Sequence, residues 1–226
     1  MAVIDIPEFA AHAKTFGKHW LDSEGVVGSP IILNHGETQK LLSQLIGELE
    51  STQGSLLTVQ NTRQQNQKER DIARDRVHPT GKRARLALKN LATPAGATGA
   101  LPARLPAANA SPADLLAAHR DTREVWTRVN GLSPADVPAA QLPLIVTVEL
   151  PDKTVESVDL AGYAARIDAF AQAVENLAAS NADEARLRAE RDKLIARIKP
   201  ILKDYRAVAA ARLPAGHPLL KTLPTL

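Results

Sequence analysis

The chain has no cysteine among its 226 residues, a single methionine, and aromatic residues at only 3%. Without cysteine there are no disulfides, thiolate metal ligands or cysteine nucleophiles, and the composition fits a reducing compartment. With so few aromatics, the apolar content is mostly Ala, Leu and Val, which suits closely packed helices better than a β-sandwich or barrel. No stretch approaches the roughly 20 apolar residues that a membrane-crossing helix needs. The opening Met1-Ala2-Val3-Ile4-Asp5-Ile6-Pro7-Glu8 carries acids where a secretory signal carries bases, so a cytoplasmic location is expected.

Phosphate cradles are also missing. Neither a P-loop nor a Gly-x-Gly-x-x-Gly fingerprint occurs, and Gly96 and Gly99 lie in an Ala/Pro-rich segment. There is no Gly-x-Ser-x-Gly elbow, and the histidines (His12, His19, His35, His78, His119, His217) are scattered, so no catalytic residue is assigned. Glu8, His12 and His19 could share a helix face. A zinc site needs three or four ligands with a supporting shell, so these read as surface or interface residues. No metal and no cofactor is expected, and the chain reads as a non-enzyme.

What is present is helical patterning. A first helix from Pro7 to about Ser23 puts Phe9, Ala13, Phe16 and Trp20 on one face. After an apolar connector (Val26 to Leu33), Asn34 and Glu37 form a capping-box-like start. Leu41, Leu42, Leu45, Ile46, Leu49, Leu56 and Val59 then recur at helical spacing. From Gln60 to Asp71 no large apolar residue occurs, and a helix polar all round must bridge solvent or find a partner. Pro79-Thr80-Gly81 is expected to break the pattern, with a short basic helix from Lys82 to Leu91 beyond it.

Residues 93–111 are rich in Ala, Pro and Gly and read as a linker or arm. Ser111-Pro112-Ala113-Asp114 opens a helix that Gly131 ends, and a second Ser-Pro-Ala-Asp at Ser133 to Asp136 predicts one more helical turn. Leu144–Leu150 and Thr154–Val158, joined at Pro151-Asp152, predict a β-hairpin, which needs packing partners to persist. Asp159 caps the next helix, whose seam is Tyr163, Ile167, Phe170, Val174 and Leu177. Ser180-Asn181 should interrupt it, giving two antiparallel helices, and Pro200 should kink the second. The leucine-rich tail from Leu213 to Leu226 reads as an extended segment that lies in a groove of its own molecule or of a neighbour.

From Leu150-Pro151-Asp152-Lys153-Thr154-Val155 through Arg197-Ile198-Lys199-Pro200-Ile201-Leu202-Lys203-Asp204-Tyr205-Arg206 to Gly216-His217-Pro218 and Leu226, the last third resembles a group of helical proteins from planctomycete and related bacterial genomes. The resemblance implies a helical fold. It transfers no site residues and no activity.

The expected architecture is therefore mainly α, an elongated bundle of long antiparallel helices with one small β-hairpin. It divides into an N-terminal helical region (1–92), the linker (93–111), and a C-terminal region with the hairpin and apolar tail (112–226). The expected role is structural: self-association into an oligomer or filament through Phe9, Phe16, Trp20, Leu219, Leu220, Leu223 and Leu226, with the chain itself as partner and no membrane. The alternative partner is nucleic acid. Residues 63–89 hold nine bases against three acids, a local charge of +6, while the remainder carries −3. In that reading Arg74, Arg76, Lys82, Arg83, Arg85 and Lys89 contact phosphates.

Overall fold

The computed structural model describes residues 6–91, 98–99, 101–133 and 142–225. These residues form α1 (Ile6–Val27), α2 (Gln39–Asn90), α3 (Pro112–Asn130), β1 (Val146–Glu149), β2 (Val155–Val158), α4 (Leu160–Arg212) and α5 (Pro218–Lys221). The fold is mainly α, with long helices packed on one another and one antiparallel hairpin, as the patterning predicts. No described helix is long and apolar enough to cross a membrane.

The chain separates into two compact units, Met1–Asn61 with Ala182–Leu226, and Thr62–Asn181. This division falls within α2 and α4, away from the Ala/Pro/Gly-rich segment at which the sequence places its boundary. The described part of that segment belongs to the second unit. Leu101 and Ala110 pack against its core, and Arg85 Nε donates to the Pro102 carbonyl at 2.6 Å.

In the first unit, Phe9, Ala13, Phe16 and Trp20 of α1 bury against Leu42, Leu45 and Leu49 of α2 and Ile198, Leu202 and Tyr205 of α4. Trp20 stacks on Tyr205 with ring centroids 4.5 Å apart and a 13° interplanar angle. Glu24 accepts from Trp20 Nε1 at 3.0 Å and from the Ile31 backbone N–H at 2.9 Å, which fixes the connector after α1. The cap of α2 is Thr38, whose Oγ1 accepts from Leu41 N, and not Asn34. Glu37 instead turns back to the His35 N–H.

The tail closes this unit. Leu213 is buried in the core, and Leu219, Leu220 and Leu223 are half-buried against it. The segment is not wholly extended, since His217 caps the single turn of α5. Phe9, Phe16, Trp20, Leu219, Leu220 and Leu223 thus have their apolar partners inside their own unit. Leu226 lies outside the described residues, as do the residues after Ser133 in the second Ser-Pro-Ala-Asp.

In the second unit, Val77, Ala84 and Leu88 of α2 meet Leu115, Val125, Trp126 and Val129 of α3 and Tyr163, Ile167 and Phe170 of α4. The hairpin pairs Val146 with Val158 and Glu149 with Val155, and Val146, Val148 and Val158 point into this core. That packing supplies the support two strands lack in water. Ser111 and Asp159 cap α3 and α4 as expected, their side chains accepting from Asp114 N (3.1 Å) and Gly162 N (2.7 Å).

Two expected breaks are absent. Pro79 lies inside α2, where neighbours hold the turn: Thr80 Oγ1 donates to the Arg76 carbonyl at 2.7 Å, and Arg166 Nη1 of α4 donates to Thr80 Oγ1 at 2.7 Å. Ser180 lies inside α4, buried; its hydroxyl donates to the Asn176 carbonyl at 2.9 Å and accepts from Asn66 Nδ2 at 2.6 Å. Pro200 is likewise within α4. Residues 60–71 are helical, and two of their polar side chains find partners on α4. Gln60 donates to Glu184 in the first unit, and Asn66 to Ser180 and to the Asn176 carbonyl in the second. The pairs Asn66–Ser180 and Thr80–Arg166 show α2 and α4 antiparallel in that unit.

Candidate functional site

Catalysis would need a reactive group with a base and an orienting partner in reach of substrate. In the first unit Ser23, His19 and Tyr205 come together. Tyr205 Oη lies 2.6 Å from His19 Nδ1 and 3.0 Å from Ser23 Oγ, while His19 Nε2 lies 2.9 Å from the Leu219 carbonyl. A carbonyl can only accept, so Nε2 carries the proton and Nδ1 accepts from the Tyr205 hydroxyl. Ser23 and Tyr205 are fully buried, and burial pushes the Tyr205 hydroxyl up to about 12. This network fastens the tail to α1 and α4. Among the described residues no carboxylate is hydrogen-bonded to His19, Ser23 or Tyr205, and all three are buried.

The second unit buries His78 and His119 edge to face, ring centroids 5.9 Å apart. His119 Nδ1 is hydrogen-bonded to the Tyr163 hydroxyl at 2.8 Å. Among the described residues His119 Nε2, both ring nitrogens of His78 and Trp126 Nε1 have no hydrogen-bond partner. Burial, then the neighbouring His78, pushes His119 down to about 4. His78 is lowered by burial, then by Lys82 and Arg74, with Asp75 opposing. Both are therefore neutral near pH 7 and too enclosed to serve as acid or base. Among the described residues no group of three or more His, Asp or Glu could hold a metal ion, so Glu8, His12 and His19 form no such site.

The exposed chemistry lies on α2. Of the residues singled out for phosphate contact, Arg76, Lys82, Arg83 and Lys89 are solvent-exposed, and so is Lys68. At roughly 100° per residue these five fall within an arc of about 140°, extending about 32 Å from Lys68 to Lys89. Arg74 and Arg85 do not join them. Arg74 is paired with Asp71 and Asp75, both at 3.2 Å, and Arg85 holds the Pro102 carbonyl. Arg70 is neutralised by Asp71 at 2.7 Å. The net +6 already subtracts these acids; the pairing shows that Arg70 and Arg74 are the bases they cancel.

No family model, curated protein or solved structure matches the chain.

Where the arc passes the hairpin, a cleft of about 510 Å³ opens in the second unit. Lys82 and Arg83 of α2 and Lys153 of the hairpin turn are its cations, and Pro79, Leu86 and Leu150 are apolar lining. Lys153 adopts a left-handed backbone (φ 70°), a conformation that favours glycine or asparagine, at the turn between the strands. The one acid of the lining, Glu149, accepts from Lys153 at 3.3 Å on an exposed surface, where such a pair is weak. Asp152 directs its carboxylate to Thr154, accepting from the hydroxyl at 2.6 Å and from N–H at 3.0 Å. Among the described residues, Lys82 and Arg83 have no ion-pair partner. Sequence reasoning found these two but not Lys153, which lies about 70 residues further on; only the folded hairpin brings it to α2. A second depression, of about 520 Å³ beside Arg123 and Ile145, has no comparable convergence, since Asp159 and Asn130 in its wall are used on backbone N–H groups.

Proposed function

We propose that this chain is a non-catalytic, cytoplasmic, nucleic-acid-associated helical protein that binds the phosphate backbone through the exposed face of α2. The observation that carries the reading is the alignment of Lys68, Arg76, Lys82, Arg83 and Lys89 along one side of one helix, opposite the side that buries Val77, Ala84 and Leu88. Exposed bases gathered on one side of a helix suit a polyanion, which releases counterions as each phosphate is neutralised. The face has no aromatic residue, so it supports backbone contact without reading sequence.

The test is binding to DNA and RNA over a salt series. Engagement of all five bases gives a slope of log K against log salt of about −3.5 on single strands and about −4.5 on duplex. Neutralising Lys82 and Arg83 together to Gln should make it shallower by about 1.4 to 1.8. Absence of binding at low salt ends this reading.

Self-association is the second reading, with a different surface from the one the sequence points to. The hairpin's strands pair only with each other among the described residues, and Ile145 and Val155 stand 58% and 66% exposed. Unpaired edges with apolar neighbours favour pairing between copies. Light scattering over a concentration series tests it, and a monomer throughout would remove it.

A further inference from the structure

The cleft beside the hairpin combines two chemistries that a phosphate backbone alone does not use together. Lys82, Arg83 and Lys153 approach it from two elements, α2 and the turn, while Pro79, Leu86 and Leu150 line it with apolar surface. A bare polyanion needs only the cations. Leu86 is 46% exposed there, on the side of α2 away from the buried Val77, Ala84 and Leu88.

Resting on the nucleic-acid reading above, we infer that this cleft selects single strands, taking one unpaired base against Pro79 and Leu86 while Lys82, Arg83 and Lys153 hold its flanking phosphates. In a duplex the bases are paired inward and cannot enter a concave site, whereas a single strand can turn each base out. Every base has a flat, weakly solvated face, so an aliphatic lining accepts any of them without sequence preference. Lys68, Arg76 and Lys89 lie on the same face of α2 and take further phosphates on either side. Lys153 is then the cation that decides the site. It alone comes from the hairpin, and its left-handed backbone fixes where its side chain leaves the turn.

The experiment measures the affinity of the full chain for four probes at one salt concentration: an oligothymidylate, an abasic strand of the same length, a duplex of the same length, and inorganic polyphosphate. Oligothymidylate should bind several-fold more tightly than the abasic strand and the duplex. Leu86→Ala, a change on an exposed helix face that leaves the fold intact, should remove roughly five- to tenfold of the oligothymidylate affinity, the scale of about 50 Å² of lost apolar contact, and leave abasic binding unchanged. Lys153→Gln should weaken oligothymidylate more than duplex. Equal binding of all four probes, unaffected by Leu86→Ala, overturns the cleft assignment and leaves the basic face standing. Binding of none of them overturns both.

Discussion

A methyl group added at Gly81 would lie 2.5 Å from His119 Nδ1 and 2.8 Å from the Tyr163 hydroxyl. In mid-helix, alanine is ordinarily better than glycine by about 1 kcal/mol. Here overpacking costs about 1–3 kcal/mol and outweighs that gain. Gly81→Ala should therefore lower the urea midpoint. Gly54→Ala, where nothing lies within 4 Å, should raise the midpoint, reflecting up to about 1 kcal/mol of added stability. The reverse order would show that α2 and α3 are not so closely apposed. The imidazoles in the same contact make stability depend on pH. The folded protein holds His119 at about 4 against an ordinary 6.5, so the unfolded chain binds more protons between those values. Stability is fully present above about pH 6.5 and is lost as pH falls towards 4, by about 3 kcal/mol from this residue. The charged neighbours are Lys82, Arg74 and Asp75 on α2, and Arg123 on α3 beside Tyr163. On α4, Arg166 is already paired with Glu156. Trp126 stands against Tyr163, ring centroids 5.6 Å apart, and reports on this site. In a Trp20→Phe background its denaturation midpoint should fall between pH 7 and pH 5, and His119→Gln should flatten that fall. An unchanged midpoint in the parent would contradict the burial argument.

At the scale of elements, the sequence discloses helices well and their continuity poorly. The α3 caps, the hairpin and the Tyr163–Phe170 seam are local patterns, and they stand where the spacing puts them. Pro79, Gly81 and Ser180 are punctuation in a local reading, yet each is explained by a residue distant in sequence: Arg166 beside Thr80, His119 beside Gly81, Asn66 on Ser180. Tertiary contacts settled what propensity left open. The same limit hid Lys153 from the basic stretch. Asn66–Ser180 makes this measurable. Ser180→Ala leaves the half-buried Asn66 amide only the Asn176 carbonyl, at 3.2 Å, and should cost about 1 kcal/mol, more than Gln65→Ala, whose partner Glu69 is exposed. A double-mutant cycle on Asn66 and Ser180 should give a coupling of at least about 0.5 kcal/mol. Additive losses would mean that the polar stretch of α2 is held by something else.

For the molecule as a whole, the tail decides between two uses of the same apolar surface. Five leucines from Leu213 onward would be poorly solvated if free, and the sequence left open whether their own chain or a neighbour covers them. Here Leu219, Leu220 and Leu223 rest on the first unit's core, and the Leu219 carbonyl accepts from His19 Nε2, so the chain's own fold covers the segment. Removing residues 214–226 should accordingly lower stability reported by Trp20 by about 2–4 kcal/mol, an upper estimate for three half-buried leucines and one buried hydrogen bond. It should also increase binding of an apolar dye, because Tyr205 and Trp20 lose their cover. His19→Phe, which keeps the ring and loses the bond to Leu219, should reproduce part of that loss with the tail still present. The oligomeric state should not change in either variant. A truncated chain that keeps its stability but loses an assembly present in the parent would return the tail to intermolecular use.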